Sequence, residues 1–293
     1  MDNDYILNKL KKVDMLPTFP GTVGTVMSLI QDPMSSAADL AKNMDPSMVS
    51  EVLRIANTAY FGTKNFRNIS SIEHAIAIIG LEHLSSIVIQ MPFISMVKGD
   101  TAFDREKFME HSIMCGVLSK AISLSVRLGN PNEVYIGGMM HDIGAIIFYR
   151  YFRNEWDRAY SLVRDRGMTW PEAEKEVFSM DHGYIGAVLL ELWNIPKGIT
   201  DCVMFHHCPD KATENRGNAT AVNLGNRFSK LINIHDDIPN FDDFLGRYRS
   251  FLNLNEELGL QLLPSDEIIF YEKIYAVAKE TQHYIYGTVR EKE

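Results

Sequence analysis

The amino-acid sequence predicts an all-α protein. Apolar residues recur at helical spacing along most of the chain, and residues that favour helix ends stand at the borders of these segments. No segment shows a convincing strand pattern. We therefore expect an N-terminal helical lobe (residues 1–100), packed on a larger helical bundle (101–240), and a helical extension (241–293) that also packs on the bundle.

The N-terminal lobe contains about five predicted helices. Two of them begin at an acidic capping pattern, Ser36 with Asp39 and Ser70 with Glu73, and Gly80 is placed to end the fifth. The apolar stretch that follows is expected to be helical, because no partner strand is available. The predicted helices are 6–13, 23–30, 38–44, 47–62 and 72–79, and the ambiguous apolar stretch is 84–97.

A polar stretch at 98–104 separates the lobe from longer helical segments. Thr169 and Glu172 cap one of these segments, and Pro239 with Asn240 marks a second break before the extension. The final helix is predicted to begin at Ser265. The predicted bundle helices are 105–128, 132–152, 171–179, 181–193, 197–207 and 217–234.

Composition restricts the function classes. The 38 acidic and 29 basic residues give a net charge of −9, which argues against broad binding to nucleic-acid phosphates. No run of about 18 apolar residues is present to span a membrane, and the N-terminus is too polar for a signal peptide. The three cysteines have no disulfide-framework spacing. We therefore expect a cytoplasmic protein that contacts neither nucleic acid nor membrane.

The residues best suited to chemistry are histidines and one aspartate in the bundle. An adjacent His-Asp pair in an apolar helix is unusual, because both side chains are costly to bury without a partner. A metal ion such as iron, zinc, nickel or manganese supplies such a partner. The candidates lie in four predicted helices: His111, His141, Asp142, His182, His206 and His207.

The alternative for any single histidine is a hydrogen-bonded residue of the core. We assign four histidines to this class: His74, His83, His235 and His283. Six candidates in four helices, with two adjacent pairs, are harder to explain in this way. Spacing alone leaves both interpretations open.

The order H…HD…H…HH resembles the HD superfamily of metal phosphohydrolases, and especially its HD-GYP branch. The resemblance implies that His111, the His141-Asp142 pair and a distal aspartate hold one metal. It also implies that His182 and the His206-His207 pair hold a second. The position of the distal aspartate is best matched by Asn226.

Several departures weaken the implied hydrolase. Asn226 offers a neutral amide in place of a carboxylate, Lys107 replaces a glutamate of some relatives, and Ala145 replaces a lysine that often follows HDIG. The sequence after His207 reads CPD and lacks the GYP-type signature. Each loss bears on the activation of a water molecule, which a hydrolase requires from its metals.

The first lobe resembles the HDOD family. The features that carry this resemblance are the LPTFP opening, the DPSM helix start, the NTAYFG stop and the AIAIIGLEHL segment. The resemblance extends from about residue 16 to 209. It implies a regulatory module of bacterial signalling, with a degenerate HD-type metal site, that acts on a signalling protein partner.

Three other functions are weighed against this one. The segment 38–57 resembles a DNA-binding helix-turn-helix, but Arg54 is the only cation among the polar residues of its second helix. Cys202, His206, His207 and Cys208 resemble half of a zinc knot without its second half. The third alternative is a surviving metal-dependent phosphohydrolase acting on a nucleotide or cyclic dinucleotide, with Arg150, Arg153 and Arg158 as a phosphate clamp or a solvated face.

Overall fold

The computed structural model describes residues 29, 36–44, 48–50, 52–53, 69–97, 99–232, 238–249 and 264–286. These residues define twelve α-helices and contain no β-strand, so the predicted all-α fold is confirmed. The helices are α1 (Ala37–Asn43), α2 (Ile72–Met96), α3 (Arg105–Val126), α4 (Pro131–Met140), α5 (Ile143–Tyr151), α6 (Arg153–Arg166), α7 (Trp170–Phe178), α8 (His182–Leu192), α9 (Lys197–Phe205), α10 (Arg216–Leu231), α11 (Phe241–Arg249) and α12 (Pro264–Tyr286).

The chain divides into two compact units. One contains Asp104–Thr281, and the other contains the described residues within Leu10–Phe103. The predicted borders at 100 and 240 remain predictions. The predicted helix 6–13, all of 23–30 except Leu29, and most of 47–62 lie outside the described residues. None of the described helices has both the length and the apolar character of a membrane span.

In the smaller unit, α1 packs against α2. The predicted cap at the start of α1 is present, because the Asp39 amide donates to the Ser36 hydroxyl (3.2 Å). The predicted cap of α2 is one residue off. The Ser71 hydroxyl, and not that of Ser70, accepts from the His74 amide (3.1 Å). Gly80 interrupts α2 with a positive φ of 77°, where the sequence predicted a helix end.

In the larger unit, α3 packs against α4 and α10, and α8 packs against α5 and α9. The core between α3 and α10 includes the fully buried Leu118, Leu224 and Phe228, and Tyr271 of α12 joins them. The predicted capping box of α7 is confirmed, since Glu172 accepts from the Thr169 amide (2.9 Å). These contacts bring the histidine-bearing segments of the sequence together.

Two helix predictions in this unit are wrong. The segment 132–152 is not one helix, because the chain breaks between α4 and α5 at His141 and Asp142. A new turn begins there, with the Ala145 amide donating to the Asp142 carbonyl (2.9 Å). The helix α6 was not predicted at all. The sequence does carry a helical pattern there, with Trp156, Ala159 and Val163 on one face, but only Ala159 of these is fully buried.

Candidate metal centre

The structure brings the six predicted histidine and aspartate ligands into one cluster. His111 lies on α3, and the His141-Asp142 pair occupies the break between α4 and α5. His182 begins α8, and the His206-His207 pair follows the end of α9. We call His111, His141 and Asp142 the HD group, and His182, His206 and His207 the three-histidine group. Within each group, the ligand atoms lie within 4.8 Å of one another, close enough to share one ion.

Asp142 lies between the two groups and contacts both. Its Oδ2 is 3.1 Å from His141 Nε2 and 3.4 Å from His111 Nε2. Its Oδ1 is 3.0 Å from His182 Nε2 and 3.7 Å from His206 Nε2. One carboxylate therefore faces four imidazole rings, and its two oxygens are divided between the two groups.

The far side of each buried ring fixes which nitrogen carries hydrogen. His141 Nδ1 donates to the Gly138 carbonyl, and His206 Nδ1 donates to the Val203 carbonyl, both at 2.7 Å. A carbonyl oxygen only accepts, so each Nδ1 carries its hydrogen. In a neutral ring, Nε2 then presents a bare lone pair toward the cluster. This is the tautomer that a metal ligand requires.

Distances between the Nε2 atoms fit a shared cation. His182 Nε2 is 3.2 Å from His206 Nε2 and 2.9 Å from His207 Nε2. Two nitrogens bound to one tetrahedral zinc at about 2.0–2.1 Å are about 3.3–3.4 Å apart. Both contacts also have the length of a hydrogen bond donated by His182 when its Nε2 carries hydrogen. The distances therefore fit either a shared proton or a shared transition-metal ion.

The electrostatics of the cluster favour neutral imidazoles. Burial lowers the pKa of His206 well below its usual range and lowers the pKa of His207 to about 3, with neighbouring rings adding to both effects. Burial also lowers the pKa of His141. Although burial opposes ionisation of Asp142, the surrounding imidazoles hold its pKa well below the usual range. The ionised carboxylate and the neutral rings are the forms that bind metal.

His182 differs because it is flanked by two carboxylates. Its Nδ1 lies 2.7 Å from Glu174 Oε2, and its Nε2 faces Asp142. Burial alone would lower the pKa of His182, but Glu174 and Asp142 together raise it to about 10. The two carboxylates thus make this imidazole more basic than those of His141, His206 and His207.

The predicted ligand Asn226 is buried on α10, and its Oδ1 makes no hydrogen bond. The backbone carbonyl of Asn226 accepts a hydrogen bond from the Ser229 hydroxyl (2.9 Å). The same Ser229 oxygen lies 3.3 Å from His111 Nδ1. Asn226 is therefore one turn from a residue that contacts the HD group. A buried amide oxygen without a partner is unusual, and a ligand or ordered water would satisfy it.

Sequence reasoning missed two residues that contact the ligands, Glu174 and Ser229. Glu174 carried a usable signal, because it shares the apolar face of α7 with Ala173, Val177 and Phe178. A glutamate on such a face is rarely left without a partner. Ser229 carried no comparable signal, since a serine is common on a packed helix face.

Other sequence candidates lie apart from this chemistry. Among the described residues, neither metal-capable group includes a cysteine, and Cys202 Sγ donates to the Gly198 carbonyl (3.1 Å). The side chain of Lys107 is exposed and lies 3.5 Å from Asp104. Arg153 pairs with Asp157 on the exposed face of α6. The zinc-knot reading is therefore not supported, and Arg153 belongs to a solvated face.

Access to the cluster is partial. The side chain of His111 is 23% exposed and that of Asp142 is 19% exposed, while His141 and His206 are fully buried. Within the HD group, the side chains in contact with solvent are therefore those of His111 and Asp142, as far as the described residues show.

The HDOD domain family matches residues 16–209 of this chain. An uncharacterized protein of Treponema pallidum (strain Nichols) is 21% identical over 201 residues. That similarity covers 67% of this chain but only 38% of the Treponema protein. The chain therefore spans well under half the length of this relative.

Three solved structures have a similar fold. A candidate phosphohydrolase from Shewanella amazonensis SB2B gives a TM-score of 0.68 at 20% identity, covering 94% of this chain and 97% of that one. An HDOD domain protein of unknown function from Geobacter sulfurreducens gives 0.67 at 22%, covering 95% and 97%. A candidate signal transduction protein from Marinobacter aquaeolei VT8 gives 0.67 at 14%, covering 95% and 60%. Identities this low show a common fold and no more.

Proposed function

The chain belongs to the HDOD domain family, and on that premise we propose that it is a regulatory signal-transduction module that works through a protein partner. In this proposal the histidine cluster binds a transition metal but does not catalyse hydrolysis. A bound ion would supply positive charge and coordination bonds between α3, the α4–α5 break, α8 and the end of α9. Metal binding would thereby stabilise the surface that the partner recognises.

The observation that carries this proposal is the engagement of Asp142. It is the one carboxylate among the metal-capable groups of the described residues, and its oxygens face four imidazoles. Glu174, the other carboxylate that touches a ring, is fully buried behind His182. In this proposal Asp142 is occupied by its imidazole contacts and Glu174 is shut off from solvent, so neither would take a proton from an attacking water as a general base does.

Net charge supports a protein partner over nucleic acid. The chain carries a charge of −9, and arginines on the exposed face of α6 already pair with neighbouring acids, such as Arg153 with Asp157 and Arg164 with Asp165. Phosphate backbones need unpaired basic side chains in a concentrated patch. A protein surface places no such demand.

The first experiment measures turnover. Purified protein is incubated with common nucleotides and cyclic dinucleotides in the presence of Mn²⁺ or Fe²⁺, and an Asp142→Asn variant serves as the control. We expect no hydrolysis above that of the variant. Turnover at rates typical of enzymes, lost in Asp142→Asn, would overturn the proposal.

The second experiment identifies partners. Pull-downs with metal-loaded and metal-stripped protein from the native cell extract are compared, and we expect a protein that is retained better by the loaded form. Recovery of nucleic acid alone would contradict the proposal. If both forms capture the partner protein equally well, partner binding does not depend on the metal, and that part of the proposal is wrong.

A metal-dependent phosphohydrolase is the second candidate function. It is favoured by the persistence of all six ligands in one cluster and by the partial exposure of His111 and Asp142. On this alternative, a nucleotide phosphate would approach through the exposed side. The turnover experiment distinguishes the two functions directly.

A further inference from the structure

Glu174 makes two hydrogen bonds with one residue of the cluster. Its Oε2 accepts from the His182 backbone amide at 2.8 Å and lies 2.7 Å from His182 Nδ1. The same oxygen therefore fixes both the first turn of α8 and the orientation of the imidazole ring. With Nδ1–H directed at a carboxylate, Nε2 is left to face the cluster.

The rest of α7 holds this carboxylate in place. Phe178, one turn after Glu174, stacks on Phe148 of α5 with ring centroids 4.0 Å apart. Phe152 packs against the edge of the same ring. Glu174 is fully buried, and its Oε1 has no hydrogen-bond partner. A carboxylate in such surroundings is costly unless a nearby positive charge balances it.

The other rings have weaker support on their far side. His141 and His206 donate to backbone carbonyls, and His111 Nδ1 lies 3.3 Å from the Ser229 hydroxyl. Among the described contacts of the cluster, His182 is the only ring whose Nδ1 faces a carboxylate. A carboxylate partner increases the basicity of a metal-bound imidazole more than a neutral partner does.

We propose that Glu174 is a positioning residue that makes the three-histidine group the site of a single, tightly held divalent ion. This inference rests on the proposed metal binding. Three imidazoles and the Asp142 Oδ1 atom are available to this group, whereas the HD group offers two imidazoles and Oδ2. The charges also balance for one ion, because Asp142 and Glu174 together carry −2. A second divalent ion would leave the cluster with an uncompensated charge of +2.

The test compares zinc affinity in three proteins. Wild type, Glu174→Gln and the matched control Glu176→Gln are stripped of metal and titrated with Zn²⁺ against a chromophoric chelator. Glu176 lies on the same helix, is exposed and pairs with Arg166 at 3.8 Å. We expect one tight zinc in wild type, an affinity about 10- to 100-fold weaker in Glu174→Gln, and no change in Glu176→Gln. Equal affinity in all three proteins would overturn the inference.

A second measurement uses wild type alone, in case Glu174→Gln fails to fold. In the zinc-loaded protein, the Nδ1–H proton of His182 should appear far downfield in the NMR spectrum and exchange slowly, because it is bound to a buried carboxylate. An ordinary, fast-exchanging proton at this ring would contradict the role of Glu174. The signal is compared in zinc-loaded and metal-stripped protein, because a hydrogen bond with only a structural role would give the same signal in both, whereas a zinc ligand at Nε2 changes it.

The two possible failures are distinguishable. If wild type binds no zinc, the proposed metal function fails and the role of Glu174 fails with it. If wild type binds zinc and Glu174→Gln binds it equally well, only the inference about Glu174 is wrong. If His207→Ala keeps the tight ion while His111→Ala loses it, the ion lies in the HD group and the inference is likewise wrong.

Discussion

Among individual residues, the cluster shows what sequence spacing can and cannot reveal. The six predicted ligands do meet in the structure. They could be predicted because adjacent His-Asp and His-His pairs are unusual in apolar segments. Glu174 was missed because its partner, His182, lies eight residues away and across a helix boundary. Its place on the apolar face of α7 marks it as buried, but the sequence does not connect it with His182.

Substitution of Asn226 is predicted to increase metal binding. An aspartate at this position would add a third negative charge to a site that Asp142 and Glu174 balance for one divalent ion. We expect Asn226→Asp to raise zinc occupancy from about one ion per chain toward two, measured by metal analysis after dialysis against a weak chelator. The added charge is also expected to slow the loss of zinc to that chelator.

The matched control for this variant is Asn154→Asp. Asn154 is exposed on α6, so the substitution changes the net charge equally without approaching the cluster. It should leave occupancy unchanged. If Asn226→Asp behaves like this control, the buried amide of Asn226 is not directed at the ligands.

Among the elements, the most informative one is the break between α4 and α5. Adjacent residues of a continuous helix project about 100° apart, so a regular helix would direct His141 and Asp142 differently from one another. The break allows both side chains to face one cluster. No glycine or proline stands at the junction itself, so the pattern of 132–152 gave no reason to divide the helix. Tertiary contacts decide this local structure.

Gly144 gives a prediction about this junction. A Cβ atom at Gly144 would overlap with the carbonyl of His182, which begins α8. We expect Gly144→Ala to destabilise the protein by about 1–3 kcal/mol, since backbone must move to relieve the overlap. Zinc affinity should fall as well, because His182 moves with α8. Urea denaturation and zinc titration measure the two effects.

Gly246→Ala is the corresponding control on α11. Gly246 is exposed, and a Cβ atom there would meet nothing within 4 Å. Alanine favours helix over glycine, so this variant is expected to be neutral or stabilised by about 0.5–1 kcal/mol. If both variants unfold at the wild-type urea concentration, the approach of α8 to Gly144 is less close than the structure indicates.

For the whole molecule, the fold class was predictable because several kinds of signal agree. Apolar periodicity, capping residues and the absence of strand patterns all indicate helices, as the structure has them. The HDOD motifs indicate the same family as the match over residues 16–209. The helix α6 shows the limit of this reasoning. Its apolar residues Trp156, Ala159 and Val163 recur at helical spacing, but charged residues surround them and only Ala159 is fully buried, so the pattern was overlooked.

Metal removal tests the molecule as a whole. The ligands come from four segments between His111 and His207, and an unfolded chain does not hold them together, so an ion that binds the cluster stabilises the folded state. With free zinc at a hundredfold excess over its Kd, the expected gain is about 2.7 kcal/mol. For a unit of this size, that corresponds to a Tm roughly 5–10 °C higher than after chelation.

A His206→Ala variant should show no such difference. If wild type melts at the same temperature with and without chelator, hydrogen bonds alone hold these rings together, and the cluster is a relic of an ancestral metal site.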